Sequence, residues 1–184
     1  MDKKILEEIY SLRPYDYQNK TYFKARDGVA VYGEITQNGT HTLVNYFRKH
    51  FNKDTVFYDL GSGLGKMVVH IGLEYGVKKS VGIELSKERH QAALHLKEKY
   101  GKKNDKIEFH NISFFEYDFS DATVIYCDNT AMPSHISKRI YKKIPSGCLF
   151  LFKRRIDILK DCASQLGGIE RTYDQDKLLW VIKE

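Results

Sequence analysis

Residues 55–66, Thr-Val-Phe-Tyr-Asp-Leu-Gly-Ser-Gly-Leu-Gly-Lys, constrain the fold more than any other stretch of the chain. Val56, Phe57 and Tyr58 form a short apolar run, the pattern of a strand buried on both faces. Asp59 stands where that run ends. Gly61, Gly63 and Gly65 follow at every second position, and an apolar-periodic helix begins directly after them. Such a strand, turn and helix form a nucleotide-binding junction: glycines let the backbone approach a ligand closely, and a helix start offers unpaired N–H groups.

The rest of the chain alternates around this junction. Ile5, Leu6, Ile9, Tyr10 and Leu12 make one stripe of a helix over 2–12, ended by Arg13-Pro14. Residues 14–30 interleave Tyr15, Tyr17, Tyr22 and Phe23 with basic residues and read as an arm lying on the core through its rings. Residues 1–30 are therefore expected to be a helix and arm packed on the domain formed by 31–184. Asn38-Gly39-Thr40 supplies turn and cap chemistry before a helix over about 40–52. Helices are expected over about 65–75, from Ser86 to Tyr100, from Pro133 to Lys143, and briefly near 156–164. Strands are expected at 80–84, 106–110, 122–127 and 147–153, and a hairpin from 168–173 and 177–183 turns at Asp174-Gln175-Asp176. The expected fold is α/β, a parallel sheet with helices on both faces and a C-terminal antiparallel hairpin.

Composition narrows the class. The 184 residues suffice for one domain with a sizeable core, and 13% aromatics fit a globular chain. A net charge of +6 favours an acidic partner such as nucleic acid or nucleoprotein. Basic clusters stand at Lys78-Lys79, Lys97 through Lys106, Lys138 through Lys143 and Lys153-Arg154-Arg155, where they either contact phosphates or form solvated faces. Three widely spaced cysteines, Cys127, Cys148 and Cys162, give no disulfide framework and suit a reducing compartment. No signal peptide or membrane-spanning run is visible, so an intracellular soluble protein without membrane insertion is expected. His90 and His95 are five apart on one helix, off the i, i+4 repeat, and no metal site is expected.

Which nucleotide follows from what the turn lacks. A dinucleotide fingerprint needs glycine at its sixth position, where Lys66 stands. No P-loop pattern exists. Glu84 ends the next strand 23 residues after Gly61, at the place of a carboxylate that accepts from ribose hydroxyls. A nucleoside without pyrophosphate, preceded by an acid, fits S-adenosylmethionine (SAM).

These motifs resemble a class I seven-stranded Rossmann-like SAM-dependent methyltransferase, and more narrowly the disruptor-of-telomeric-silencing family of histone lysine methyltransferases that lack a SET domain. Val31-Tyr32-Gly33-Glu34, the stretch from Phe57 to Lys66, Val81-Gly82-Ile83-Glu84 and the stretch from Val124 to Ala131 carry the resemblance, in that order, over about residues 28–155. It implies that Asp59, Gly61, Ser62, Gly63, Gly65 and Lys66 hold the methionine part of SAM and that Glu84 takes the ribose. It implies that Tyr32, Gly33, Glu34, Ile35 and Thr36 close over the cofactor, and that Asn129 lies at the mouth of a lysine channel. Three positions depart from the family: Lys66 for Gln, Thr130 for a channel-wall Phe, and a loop of Asn111, Ile112, Ser113 and Phe114 without the Asp that meets adenine. Asn111 or Ser113 is expected to substitute, with Phe114 packing on the ring.

The implied reaction is methyl transfer to a lysine amine, in line at a sulfonium carbon. A lysine with pKa about 10.4 must first lose a proton, at a cost of roughly 4 kcal/mol at neutral pH. An aromatic channel lowers that cost by desolvation. Asn129 is expected to accept a hydrogen bond from the amine, with Tyr32 or Trp180 walling the channel. The implied substrate is a histone lysine on the nucleosome core face, in the third core histone, which would make the protein nuclear or chromatin-associated. The alternatives are a non-histone lysine, a nucleic-acid base, or a non-catalytic SAM-fold module. Asp128-Asn129-Thr130-Ala131 stands where amino-methylating nucleic-acid enzymes carry Asp/Asn-Pro-Pro-aromatic.

Overall fold

The computed structural model describes residues 2–12, 33–101, 104–159, 161–171 and 175–184, with 24–25, 28–29 and 175–176 described by backbone alone. Tyr32, Val31, the rings of the 14–23 arm and Asp174 lie outside the described residues.

Helix α1 spans Lys3–Ser11 and is capped by Asp2, whose side chain accepts from Lys4 N. Two short antiparallel strands follow, β1 (Lys24–Ala25) and β2 (Gly28–Val29). Helix α2 spans Gln37–Tyr46 and continues into a 3-10 turn at Arg48–His50. Its cap is Thr36, not the Asn38-Gly39-Thr40 expected from the sequence; the Thr36 side chain accepts from Gly39 N at 3.1 Å. Gly39 therefore sits inside the helix. A Cβ there would lie 2.1 Å from the Glu170 carbonyl, so the glycine serves close approach to the C-terminal hairpin.

The main sheet contains β3 (Val56–Leu60), β4 (Lys79–Ile83), β5 (Ile107–His110), β6 (Val124–Cys127), β7 (Leu149–Phe152), β8 (Ser164–Glu170) and β9 (Gln175–Ile182). Its order is β5-β4-β3-β6-β7-β9-β8. The first five are parallel, and β9 lies antiparallel between β7 and β8. This is the expected seven-stranded methyltransferase sheet with its reversed C-terminal strand. Helices α3 (Lys66–Glu74), α4 (Lys87–Tyr100) and α5 (Ser134–Lys143) make the crossovers.

All five residues of β3 are buried, because the strand is central and covered on both faces. Phe57 joins the core under α1, α2, α3 and α4; Tyr58 joins the one under α5. Ile9 and Leu6 of α1 are buried, which makes the N-terminal helix part of the core. The strand order reverses between β3 and β6, opening a crevice at their carboxyl ends.

The expected helix near 156–164 is a single 3-10 turn at Asp157–Leu159, and β8 starts at Ser164 rather than 168. Ser-Gln-Leu-Gly-Gly has little strand propensity of its own. Pairing with the apolar β9 recruits it, with an irregularity between Leu166 and Ile169.

Candidate active site

The crevice is lined first by the glycine turn. Gly61, Gly63 and Gly65 all have positive φ, at 89°, 54° and 76°. Gly65 caps α3, and a Cβ on it would lie 2.5 Å from the Phe109 ring, so both conformation and packing demand glycine. Ile83 O accepts from Gly61 N and Ser62 N, and Ser62 O from Gly65 N. Ser62 Oγ is buried with no hydrogen-bond partner among the described residues and lies against Gly82 of β4, where a Cβ would come within 2.6 Å of it.

Glu84 follows β4 and is buried. Its Oε2 accepts from Gly63 N at 2.9 Å, and its Oε1 from Ser86 N at 2.7 Å. The carboxylate thus couples the turn to the start of α4, and each oxygen keeps a lone pair for a further donor. Asn111 donates from Nδ2 to the carbonyls of Glu84 and Leu85, fixing the loop after β5 beside it. Ser113 Oγ accepts from Phe115 N, and Phe114 packs edge-on against Phe115. Lys143 of α5 holds this loop by donating to the carbonyls of Phe114, Phe115 and Tyr117.

Asp59 is buried at the end of β3. Burial, and then the charges of Glu84, Asp128 and Glu34, push its carboxyl well above the ordinary range. Two cations temper this acidic cluster. Lys66 is 5% exposed, and its Nζ donates to Glu34 Oε2 at 2.6 Å and to Leu12 O at 2.5 Å. The lysine that replaces the family's glutamine therefore ties the end of α1 and the Gly33-Glu34 segment to the first turn of α3. Arg171, just after β8, pairs with Asp128 Oδ2 and lies against Gly33, where a Cβ would come within 2.9 Å of its Nη2. Sequence reasoning passed over Arg171; its one local signal was a basic residue closing a hairpin strand.

Other expected site residues are turned into the fold. Ile35 is a core residue that bridges Arg171, and Thr36 caps α2 while bonding Glu170 O. Asn129 is 1% exposed. Its Oδ1 accepts from Lys153 N at 2.9 Å and Arg154 N at 2.6 Å, while Nδ2 donates to Arg154 O and Ser137 Oγ. Both acceptor sites and both N–H groups are in use. Asn129 therefore joins the chain after β7 to the loop after β6 and to α5, and its side chain has no acceptor left for an amine. Trp180 packs edge-on against Phe47 on the α2 side, with its Nε1 unpartnered among the described residues. Cys127 is fully buried, and burial raises its thiol far from ionisation. The basic cluster on α5 is largely committed internally: Lys138 pairs with Asp157, Arg139 lies over Phe115, and Lys143 holds carbonyls.

The sheet order and an acid-flanked glycine turn at the switch point define the class I methyltransferase type of nucleoside-binding domain. The family described as Histone methylation protein DOT1 matches residues 12–149, and the chain belongs to that family. A protein-lysine N-methyltransferase of Saccharolobus islandicus is 38% identical over 74 residues, 40% of this chain and 45% of that protein. A histone-lysine N-methyltransferase of Caenorhabditis elegans, H3 lysine-79 specific, is 31% identical over 121 residues, 59% of this chain and 13% of the relative. The chain thus spans less than half the length of either relative. Among solved structures, an RNA methyltransferase from Salinibacter ruber in complex with S-adenosyl-L-homocysteine superposes with a TM-score of 0.65 at 22% identity. The match covers 82% of this chain and 94% of that one, a likeness of fold.

Proposed function

We propose that the chain is a SAM-dependent protein-lysine N-methyltransferase. The observation that carries this reading is Asp59, buried at the glycine turn with Glu34, Glu84 and Asp128 around it. An acidic cradle of this kind suits a ligand that combines a nucleoside with positive charge. The donor set fits SAM: unpaired lone pairs on Glu84 for ribose hydroxyls, the orphan Ser62 hydroxyl, and the Asp59 carboxylate for the cationic amino acid end. SAM supplies the methyl group and the leaving group.

The chain's own residues orient and dehydrate. Glu84 would hold the ribose, and Asn111, Ser113 and Phe114 would border the adenine. Gly33 and Glu34, held by Arg171 and Lys66, would cover the methionine end. Asn129 acts as a positioning residue for the loop after β6. Asp128 Oδ1 accepts from Thr130 N and Oγ1 and its Oδ2 is held by Arg171, which leaves one Oδ2 lone pair as a further acceptor. Placing a neutral amine in line with the donor contributes several kcal/mol through orientation alone.

Membership of the DOT1 family and the names of the relatives support a protein lysine as acceptor, with a core-histone lysine as the finer reading. The test is incubation with methyl-labelled SAM and, separately, nucleosomes, free histones and RNA, followed by mapping of the label. Label on lysine Nε supports the proposal. Label confined to RNA, or no SAM binding by calorimetry, overturns it.

A further inference from the structure

A second cluster lies on the face of α3 turned toward α1 and α2. His70 and Glu74 stand at i, i+4 on α3, with His70 Nε2 3.0 Å from Glu74 Oε2. The His41 ring, on α2, crosses the His70 ring edge-on at 4.8 Å between centroids. One ligand atom from each of the three lies within 4.8 Å of the others.

The hydrogen bonds along this cluster admit two proton arrangements, and one of them leaves a place for a cation. Thr36 O, Thr40 Oγ1, Tyr10 OH, the His70 ring and Glu74 Oε2 form a line with successive separations of 3.1, 3.0, 3.0 and 3.0 Å. Both ends, a carbonyl and a carboxylate, only accept. Each group between them carries one proton when the imidazole is neutral. Three protons cannot fill four links. If Thr40 donates to Thr36, Tyr10 must donate to Thr40 and His70 Nδ1–H to Tyr10. The His70 Nε2 lone pair then faces the Glu74 carboxylate, acceptor against acceptor. In that arrangement a positive centre belongs between them; in the other, Thr36 O keeps its bond from Thr40 N, Thr40 donates to Tyr10, Tyr10 donates to His70 Nδ1, and His70 Nε2–H meets Glu74.

We propose that His70 Nε2, Glu74 and His41 form a site for a divalent transition-metal ion of the zinc class, locking α2 to α3 and, through Tyr10, to α1. Tetrahedral zinc with bonds of about 2.0–2.1 Å separates its ligand atoms by about 3.3 Å, so the His70–Glu74 edge is already near ligand spacing. His41 would have to rotate about its side chain to bring its ligand atom from within 4.8 Å to bonding distance. The outer groups suit this use: Tyr10 OH holds His70 Nδ1, and Tyr75 OH lies 2.6 Å from His41 Nδ1, so each imidazole can present Nε2. Glu74, 24% exposed, provides the way in. The site does not depend on the methyltransferase reading.

The test uses the full chain stripped with chelator, then titrated with Zn2+ by calorimetry and with Co2+ by visible absorption. One equivalent of Zn2+ should bind, Co2+ should develop a tetrahedral spectrum, and Tm should rise by about 5–11 °C at a hundredfold excess of free zinc over Kd. His41→Gln and Glu74→Gln keep side-chain size at accessible positions. Each should weaken zinc by at least about tenfold and remove the Tm rise. Absence of zinc binding by the wild-type chain, or equal binding by both variants, overturns the proposal; the former would leave a neutral His70 donating from Nε2–H to Glu74.

Discussion

Replacing Asn129 by Ala separates a structural from a chemical role for this residue. Four hydrogen bonds vanish, at 2.6, 2.9, 2.9 and 3.2 Å. Two of the abandoned partners are backbone N–H groups of Lys153 and Arg154, which lie near enough to the surface for water to replace part of the loss. Ser137 is 3% exposed, so its hydroxyl is left without solvent. At about 1 kcal/mol for each abandoned partner, discounted for water, the loss comes to roughly 3 kcal/mol. For a chain of this size that lowers Tm by about 6–12 °C. Differential scanning calorimetry reads the shift, and Ser137→Ala, which removes one of the four bonds, should lose only about 1 kcal/mol. A variant with unchanged Tm and normal SAM affinity but no turnover would refute the reasoning. That result would restore Asn129 as the group that receives the amine.

Three further outcomes are expected. Asp59→Asn should stabilise the ligand-free chain near neutral pH by on the order of 1 kcal/mol, because it removes a buried charge, yet weaken SAM at least about tenfold by calorimetry. The sign follows from the raised carboxyl: Asp59 contributes stability below the ordinary carboxylate range and loses it as pH rises through its folded-state value, whereas SAM affinity rises over that same interval. Lys66→Met removes the buried cation beside Glu34 and should cost about 3 kcal/mol in chemical denaturation; adding Glu34→Gln should recover most of it. Lys143→Met frees three loop carbonyls and should lose about 2 kcal/mol, raising KM for SAM more than it lowers kcat.

The elements that carry a local signal were legible. Ser86 caps α4, accepting from Arg89 N, as its position predicts. The apolar triplet of β3 and the glycines of the turn were readable because strand burial and positive φ are local demands. Glu84 was readable as a carboxylate at a strand end; its bonds to Gly63 and Ser86 were not. Asn129 shows the limit most clearly. Its residue type and position suit an amine acceptor, and only the return of the chain after β7 takes up its Oδ1. The i, i+4 pair His70 and Glu74 stood in the sequence, but its third member comes from another helix.

Sequence by itself determined the α/β order, the nucleoside turn and the family, because each rests on short-range periodicity, glycine conformation and spacing. Tertiary structure decided what the polar side chains do. Lys66 meets Glu34 and Leu12, Arg171 meets Asp128, and Ser164–Glu170 becomes a strand only when elements far apart in the chain are packed together. The physical reason is that a buried polar group must find a partner wherever the fold brings one, and sequence distance carries no record of that choice.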